Sequence, residues 1–415
     1  MEKIGKYITK YVKGKTPKEL YEAPAEGLLP YLSPDYLRDK AAPEFYASPS
    51  SKTVQVDDGE VIVLWDGSNA GEIFISKKGI LASTMVKLDF DETEIYKPYY
   101  SYSFQYLEYV LKAKTAGSGI PHADKGVIKR LEFFKPEIPE QKAIATILSK
   151  VDEAIKATEN SIKAAEKLKK SLMQNLLTGK LKPDGTWRKE DEFYKDEKFG
   201  NVPVGWVVAR VKDFGQIQTG KTPPTAEPEV FAENSNQANF FMFITPGDLG
   251  DNKYIEKSER YVTAKGLGYS YKLPENSVCL VCIGSTIGKI GINTKEACTN
   301  QQINTIIPNA DNSGEFFYYM MLYRSTHFKE IAGINATPQI NKSGLSKYKL
   351  LRPTSFIEQS EIAELIAKTD KNIASKKSKI NTLFRLKKSL MQNLLSGKVR
   401  VDLSKIDNFL NEQSI

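Results

Sequence analysis

The sequence predicts an α+β fold in which two similar globular α/β domains are separated by two long helices that pair as an antiparallel coiled coil. Three observations lead to this prediction. One segment of the chain occurs twice, the stretch before each copy has helical periodicity, and weaker matches relate the remaining parts of the chain. Together they indicate an internal repeat with pseudo-two-fold symmetry.

The repeated segment reads KKSLMQNLLTGK at residues 169–180 and KKSLMQNLLSGK at residues 387–398. The match extends back without a gap to Glu140 and Gln141 in the first copy, at a constant offset of 218 residues from Glu358 and Gln359 in the second. About half of the positions in this block are identical. Because the period is far longer than that of a solenoid repeat, each copy is interpreted as one domain with its helix.

Both copies have the pattern of a long helix, since apolar residues recur mostly at three- and four-residue steps and no glycine or proline interrupts them. Pro139 opens the first helix, a capping box at Ser355 opens the second, and Gly179 and Gly397 end them. The stripe predicted to pair the helices consists of Ile144, Leu148, Val151, Ile155, Ile162, Ala165, Leu172 and Leu176, and of Ile362, Ile366, Thr369, Ile373, Ile380, Leu383, Leu390 and Leu394.

The alternative is that each stripe covers the core of its own domain. Helices of about 38 residues would be roughly 57 Å long, which is longer than such a domain needs, so pairing is favoured. Two equivalent units that meet through the same surface do so about a two-fold axis, and this predicts an antiparallel pair.

In chain order, the predicted parts are a first domain (1–138), a first long helix (139–180), a charged linker (181–203), a second domain (204–355), a second long helix (356–398) and a tail (399–415). Buried strands are expected at residues 60–65 and 277–283, and helices at residues 101–111 and 315–328. The tail is expected to pack on the linker or on the first domain.

The two domains also share short motifs. G-K-T-P occurs at residues 14–17 and 220–223, G-S-x-x-G at residues 67–71 and 284–288, and a later proline and lysine in each half also correspond. The glycines suit tight turns, and the lysines are either phosphate contacts or ordinary solvated side chains. The candidate nucleic-acid contacts are Lys15, Thr16, Ser68, Asn69, Lys125, Lys221, Thr222, Ser285, Thr286 and Lys342.

Composition limits the possible environments and partners. Three cysteines in 415 residues favour a reducing cytoplasm without a disulfide framework, and no signal peptide or membrane-spanning run is present. The net charge of +8 suits a polyanionic partner, although many basic proteins bind no nucleic acid. We therefore expect a cytoplasmic protein with no membrane partner.

No catalytic or metal site is expected. Residues 215–222 fit the P-loop pattern, but Pro223 and Pro224 follow at once where a helix should begin. Cys279 and Cys282 lie in an apolar strand at a spacing that points them to opposite faces, so they are interpreted as core residues. The two histidines, His122 and His327, have no counterparts in the other copy.

The repeated helices with their S-L-M-Q-N-L-L-[TS]-G-K ends, the P-V-G-W segment at residues 203–206 and the shared domain motifs resemble the specificity subunits of type I restriction–modification systems. The similarity covers nearly the whole chain, although the first domain has no counterpart of P-V-G-W. The resemblance implies two target-recognition domains, each reading one half of an asymmetric bipartite site in double-stranded DNA, and helices that set the spacer.

The resemblance also implies partners: two modification subunits that transfer methyl groups to adenine, and restriction subunits that join through them. No cofactor is expected in this chain, because S-adenosylmethionine, ATP and magnesium would be bound by the partner subunits. The alternative from another class is a non-catalytic coiled-coil scaffold that presents two ligand-binding domains to protein partners.

Overall fold

The computed structural model of the chain describes residues 1–114, 121–232, 240–250, 252–333 and 338–404. The chain forms two compact units. The first unit contains Met1–Asn160 and the chain from Ser378 onward, and the second contains Ser161–Lys377. Each unit therefore combines one globular domain with the beginning of one long helix and the end of the other.

The first unit is built on two four-stranded sheets. Its strands are β1 (Glu2–Lys3), β2 (Ile8–Lys13), β3 (Leu29–Leu32), β4 (Tyr46–Ala47), β5 (Gln55–Val56), β6 (Val61–Leu64), β7 (Ile73–Ile75), β8 (Gly79–Leu81), β9 (Met85–Phe90) and β10 (Glu132–Phe133). The central sheet is antiparallel in the order β2-β9-β6-β7, and the second has the order β4-β3-β8-β5. Strands β1 and β10 form a separate antiparallel pair.

Strand β6 lies within the predicted strand at residues 60–65 and is buried along its whole length. Val61 and Val63 pack in one apolar cluster, whereas Ile62 and Leu64 pack in another on the opposite face. Because both faces are covered, the strand is a continuous apolar run without polar alternation. It therefore joins the two cores of the first unit.

The helices of the first unit are α1 (Pro34–Leu37), α2 (Lys97–Ala113), α3 (Lys125–Arg130) and the long α4 (Ile138–Leu176), which continues into the second unit. Helix α2 includes the helix predicted at residues 101–111 but begins earlier, because Pro98 can occupy its first turn at no hydrogen-bond cost. A short 3-10 helix spans Ile4–Lys6.

The second unit repeats this architecture. Its strands are β11 (Phe193–Asp196), β12 (Gly200–Pro203), β13 (Trp206–Arg210), β14 (Gly215–Thr219), β15 (Phe241–Ile244), β16 (Tyr254–Ile255), β17 (Arg260–Val262), β18 (Val278–Val281), β19 (Ile290–Asn293), β20 (Ala297–Thr299), β21 (Ile303–Pro308) and β22 (Lys349–Pro353). The central order β14-β21-β18-β19 corresponds to β2-β9-β6-β7 and gains β16 at its edge. The other sheets are β17-β15-β20, β11-β12 and β13-β22.

Strand β18 confirms the interpretation of the cysteine pair as core residues. Cys279 packs in one apolar cluster and Cys282 in another, so the two side chains lie on opposite faces of the strand. Burial raises the pKa of the Cys279 thiol to about 12 and that of Cys282 to about 11. Both therefore stay protonated near neutral pH.

The helices of the second unit are α5 (Ala264–Gly268), α6 (Gly314–Tyr323), α7 (Ser325–Ala332), α8 (Lys342–Lys347) and the long α9 (Phe356–Leu394), with 3-10 helices at Glu190–Glu192, Val211–Asp213 and Pro246–Asp248. The single helix predicted at residues 315–328 is wrong in one respect. The chain forms two helices there, because Arg324 leaves the helical conformation at φ −91° and ψ 7°.

Residues 181–203, predicted as a linker, contain the antiparallel hairpin β11–β12. Gly200 has a φ of +72° in the tight turn, and the Asp196 carboxylate accepts hydrogen bonds from the backbone N–H groups of Lys198 and Phe199. Val202 is fully buried in the core of the second unit. The many charged residues hid this short hairpin, because its apolar contribution to the core is small.

Eight residues of the predicted apolar stripe pack in cores to which a globular domain and both long helices contribute. In the first unit, Ile144 and Leu148 share a core with Leu394, and Leu390 packs against that core. In the second unit, the corresponding residues Ile362, Ile366, Leu176 and Leu172 do the same. None of the stripe residues is exposed. Within the described ranges, no helix has both the length and the apolar character that spanning a membrane requires.

Side-chain contacts between the long helices are antiparallel in the second unit. Lys169 contacts Asp370 (2.5 Å), Glu166 contacts Lys377 (3.2 Å) and Ser161 contacts Lys376 (2.7 Å). From the first of these pairs to the second, the residue number falls in α4 and rises in α9, so the two helices run antiparallel there. In the first unit, Lys387 contacts Asp152 at 2.7 Å, which repeats the pairing of Lys169 with Asp370.

A tyrosine of each globular domain joins this ion pair. Tyr102 donates a hydrogen bond to Asp152 in the first unit, and Tyr319 donates one to Asp370 in the second, both at 2.8 Å. Burial and the neighbouring carboxylate raise the pKa of both phenols, which keeps them protonated as donors. The same three residue types thus connect domain, first helix and second helix in each unit.

A buried glutamine fixes the start of each long helix to its domain. Gln141 accepts a hydrogen bond from Tyr96 N–H (2.8 Å) and donates to the Pro136 carbonyl (2.9 Å). Gln359 makes the equivalent bonds to Ser313 N–H (2.9 Å) and the Pro353 carbonyl (3.0 Å). Both side chains are completely buried, so the amide satisfies backbone groups that would otherwise lack partners.

The start of the tail packs on the first unit, which is one of the two expected positions. The Arg400 guanidinium and the backbone N–H of Val401 both bind the carboxylate of Glu140. Gly397, with a φ of +73°, closes α9 so tightly that a Cβ would lie 2.8 Å from the Phe134 ring. Glu358, the counterpart of Glu140, instead contacts Arg188 and Trp206 in the second unit. Residues 405–415 lie outside the described part of the chain.

Candidate nucleic-acid interface

Four segments of the first unit meet where β2 and β6 end and β9 begins. They are residues 13–16, 65–71, 82–84 and 121–125, and we call them the first cluster. Backbone hydrogen bonds join them: Gly14 N–H to Met85 O (2.9 Å), Trp65 N–H to Thr84 O (2.7 Å), Gly67 N–H to Pro121 O (3.1 Å) and Ala123 N–H to Trp65 O (2.8 Å). The fold therefore gathers distant motifs at one end of the central sheet.

The second unit has the same arrangement at the corresponding end of its sheet. Residues 219–222, 282–288, 300–302 and 338–342 form the second cluster. Its backbone hydrogen bonds run from Gly220 N–H to Ile303 O (3.0 Å), from Cys282 N–H to Gln302 O (2.8 Å), from Gly284 N–H to Pro338 O (2.9 Å) and from Ile340 N–H to Cys282 O (2.8 Å). Each bond has its counterpart in the first cluster.

Two glycine pairs explain why short motifs persist in domains that otherwise differ. A Cβ on Gly14 would lie 2.0 Å from the Ala82 carbonyl oxygen, and a Cβ on Gly220 would lie 2.1 Å from that of Asn300. No side chain fits so close to a neighbouring backbone. Gly67 and Gly284 have φ values of +119° and +100°, a region that favours glycine.

All ten predicted nucleic-acid contacts lie in these clusters. The first cluster holds Lys15, Thr16, Ser68, Asn69 and Lys125, and the second holds Lys221, Thr222, Ser285, Thr286 and Lys342. All are exposed except Thr222 and Thr286, which are half-buried. Their contact with nucleic acid stays a prediction, but their side chains are grouped and accessible.

The threonine of each G-K-T-P motif is held by a side chain that the sequence did not identify. Thr16 hydrogen-bonds Ser83 at 3.1 Å, and Thr222 hydrogen-bonds Gln301 at 2.5 Å. These partners lie in the segment with no sequence match, A-S-T at residues 82–84 and N-Q-Q at residues 300–302. The two segments make the same backbone hydrogen bonds but have no residue in common. Comparison of the two halves of the sequence could therefore not detect them.

The side chains of the two clusters differ in charge. In the first cluster, Asp66 binds Lys13 (3.1 Å) and the Nδ1 atom of His122 (2.6 Å). Partial burial opposes ionisation of Asp66, but the hydrogen bonds from His122 and Lys13 outweigh it and lower the pKa of the carboxyl group. The corresponding residues of the second cluster are Thr219, Ile283 and Gln339, which bear no charge.

Two stretches of the chain, residues 5–167 and 203–385, match the family described as "Type I restriction modification DNA specificity domain". Together these stretches cover most of the chain and correspond to its two repeats.

The chain belongs to this specificity family.

One relative within the family matches nearly the whole length of the chain, and another matches about half of it. The chain is 33% identical over 411 residues to the type I restriction enzyme MjaVIII specificity subunit of Methanocaldococcus jannaschii, covering 96% of this chain and 92% of that protein. It is 31% identical over 206 residues to the HindI specificity subunit of Haemophilus influenzae, covering 48% and 42% of the two chains.

Solved structures support the fold assignment. The S subunit of a type I restriction–modification system from M. genitalium superimposes with a TM-score of 0.61 at 16% identity, covering 95% of both chains. A chain from a structure concerned with assembly of the type I R-M system gives a TM-score of 0.52 at 13% identity, covering 96% of this chain and 97% of that one. The α+β fold with two repeated domains is thus that of the specificity family.

The long helices of this specificity-family chain also present an exposed repeated surface. Leu168 is 53% exposed, and its counterpart Leu386 is 45% exposed. The lysine, serine and glutamine that follow are identical and exposed in both copies: Lys170, Ser171 and Gln174 in α4, and Lys388, Ser389 and Gln392 in α9. We call these the helix-end surfaces. Because these side chains are exposed, core packing does not explain why they are the same in both copies.

The segment that fits the P-loop pattern is a β-strand. Gly215–Thr219 pairs along its whole length with β21, in register from Gly215 opposite Pro308 to Thr219 opposite Asn304. Its backbone N–H groups are directed along a sheet rather than around a phosphate. Among the residues that the structure describes, no three His, Cys, Asp or Glu side chains are grouped as metal ligands.

Proposed function

We propose that this chain is the sequence-specific DNA-binding subunit of a type I restriction–modification complex and recognises an asymmetric bipartite site, one half-site per domain. The observation behind this proposal is the relation between the two clusters. They share backbone hydrogen bonds, glycine motifs and exposed lysines, but other exposed side chains, such as His122 and Gln339, differ. A shared backbone favours the same docking on the double helix, and different side chains favour different bases.

The shared lysines fit phosphate contacts. Lys15 and Lys221 follow the buried glycines of the G-K-T-P motifs, and Lys125 and Lys342 begin helices α3 and α8. All four are exposed. Lys125 also lies 4.3 Å from the centre of the Tyr11 ring, which limits its freedom. Such positions would set the register of each domain on DNA without reading its sequence.

The helix-end surfaces fit partner subunits that are present in two copies. Packing does not constrain exposed residues, so these two surfaces could have differed. Because they are identical, they are suited to identical partners. We assign them to two modification subunits, one for each helix end, with restriction subunits joining through these. Adenine methylation, DNA cleavage and the binding of S-adenosylmethionine, ATP and magnesium belong to those partners in this proposal.

The paired helices would set the spacer between the half-sites. One added helical turn lengthens a helix by 5.4 Å, whereas one base pair lengthens B-DNA by about 3.4 Å. Insertion of one turn into each helix at matching positions should therefore lengthen the spacer by roughly one or two base pairs. Both half-sites should stay the same.

The test of the proposed function is a genome-wide map of adenine methylation in the host, with and without this gene. Loss of one split, asymmetric motif on deletion is the expected result. If the motif persists, purified chain should be titrated with DNA at several salt concentrations. Binding without a steep salt dependence would contradict phosphate recognition and favour the scaffold alternative.

A further inference from the structure

We propose that His122 and Gln339, at equivalent positions of the two clusters, contact base edges and help determine which base each domain accepts. The inference rests on the proposed function and deepens it. It assigns one position per domain to sequence reading, beside the lysines and threonines that the two domains share.

The backbone on both sides of this position is fixed in each unit. The carbonyl of the preceding proline accepts a hydrogen bond from Gly67 N–H in the first cluster and from Gly284 N–H in the second. The N–H of the following residue donates to Trp65 O or Cys282 O at 2.8 Å. Because the backbone is fixed on both sides, the side chain between these two bonds starts from a fixed position, as a base contact requires.

The same anchors direct the intervening side chain to solvent. The following residues, Ala123 and Ile340, are only 5% and 7% exposed. By contrast, the His122 side chain is 62% exposed, and Gln339 is also exposed. The position therefore presents a hydrogen-bonding side chain beside the start of each G-S-x-x-G turn, since Gly67 and Gly284 bond the preceding proline.

The chemistry of the two side chains predicts different base contacts. Gln339 has an amide oxygen and an amide nitrogen, and such a pair can bind the N6 and N7 atoms of adenine together in the major groove. Across from it lies Ile283, which offers no competing side-chain partner. We therefore assign Gln339 to an adenine of the second half-site.

His122 is held differently. Its Nδ1 atom is 2.6 Å from the Asp66 carboxylate, an acceptor, so Nδ1 carries the proton and Nε2 on the other edge of the ring is left for a base. Asp66 would repel phosphates by itself, but Lys13 pairs with it at 3.1 Å. The first domain thus offers one oriented ring nitrogen where the second offers two amide atoms.

The test uses the full chain with its partner subunits in the host. Wild type, His122→Ala and Gln339→Ala are each expressed in the deletion strain, and the methylated motif is read by sequencing. Each variant should relax one base position in one half-site, with discrimination there reduced about 5- to 100-fold and the other half-site unchanged. Gln55→Ala and Gln216→Ala replace exposed glutamines at other places in the same units and should leave the motif intact.

A further variant, which places the residue of the second domain at the equivalent position of the first, keeps the proposal falsifiable if alanine disturbs a turn. His122→Gln should shift preference at one position of the first half-site towards the base accepted through Gln339. An unchanged motif in all three variants would overturn the assignment, and so would a uniform loss of methylation at every sequence. If wild type itself produces no split motif, the proposed function fails rather than this assignment.

Discussion

The ends of the two long helices repeat both the sequence and the contacts of one another, whereas the two clusters repeat their backbone hydrogen bonds and short motifs but not all of their exposed side chains. Lys169 with Asp370 and Lys387 with Asp152 are the same ion pair made twice. In the clusters, the Asp66 and His122 pair of one domain corresponds to Ile283 and Gln339 in the other. The helix ends thus keep the same side-chain contacts, whereas the clusters keep a common backbone, glycines and lysines beside side chains that differ.

This difference indicates what each region contacts. A region that is duplicated with its exposed side chains, such as Leu168 and Leu386, is suited to two identical partners. A region in which only some of the exposed side chains are duplicated is suited to two similar but unequal ligands, such as the halves of an asymmetric DNA site. Variants that affect both units equally, or only one of them, test whether the helix ends and the clusters differ in this way.

The largest effect is expected for the buried glutamines. Gln141→Ala and Gln359→Ala each remove a completely buried side chain that is the partner of one backbone N–H and two carbonyl groups. With about 1–3 kcal/mol for each unsatisfied group, each variant should lose roughly 3 kcal/mol or more of unfolding free energy. Urea denaturation measures this loss, and Gln174→Ala at an exposed helix position is the control. A large loss of unfolding free energy for only one of the two variants would show that the repeats are not stabilised in the same way.

A smaller effect is expected for the paired lysines of the helices. Lys169→Met and Lys387→Met remove the partner of Asp370 and Asp152 while keeping most of the apolar stem. Because these pairs are only partly buried, each change should cost about 1 kcal/mol or less. Thermal melting of these variants beside Lys170→Met, an exposed neighbour, gives the comparison. If all three variants melt at the same temperature, these ion pairs do not help to set the register of the two helices.

The smallest effect is expected for the cluster lysines. Lys125→Ala and Lys342→Ala should leave stability unchanged but reduce the slope of log affinity against log salt by about 1 each, without changing sequence preference. Titration of DNA at several salt concentrations measures the slope. Lys78→Ala and Lys212→Ala alter exposed lysines at the opposite ends of the two central sheets and serve as controls. A change in the recognised sequence would identify Lys125 or Lys342 as a base contact instead.

The long helices could be predicted because periodicity and end signals are local properties of the sequence. Ile138–Leu176 and Phe356–Leu394 agree with the predicted helices except for their last turns, where Gly179 and Gly397 close the chain outside regular helix. The partners of the stripe were harder to predict, because Ile144 or Leu172 is apolar whether it packs on a domain, a helix or both.

The clusters could be predicted only in part. Their glycine motifs were visible because Gly14 and Gly220 tolerate no side chain, so the same residue occurs twice. The segments at residues 82–84 and 300–302 were not found, because their role depends on backbone atoms that any residue supplies. Sheet order was also beyond reach, since residues far apart in the chain, such as those of β2 and β9, pair there.

The measurement that tests the central claim most directly is the methylation motif of a domain exchange. Residues 1–138 would be replaced by the corresponding residues of another specificity-family protein, with the long helices and residues 204–355 kept. We predict that one half of the split motif changes, while the other half and the spacer stay the same. A change in both halves, or in neither, would contradict the assignment of one half-site to each domain.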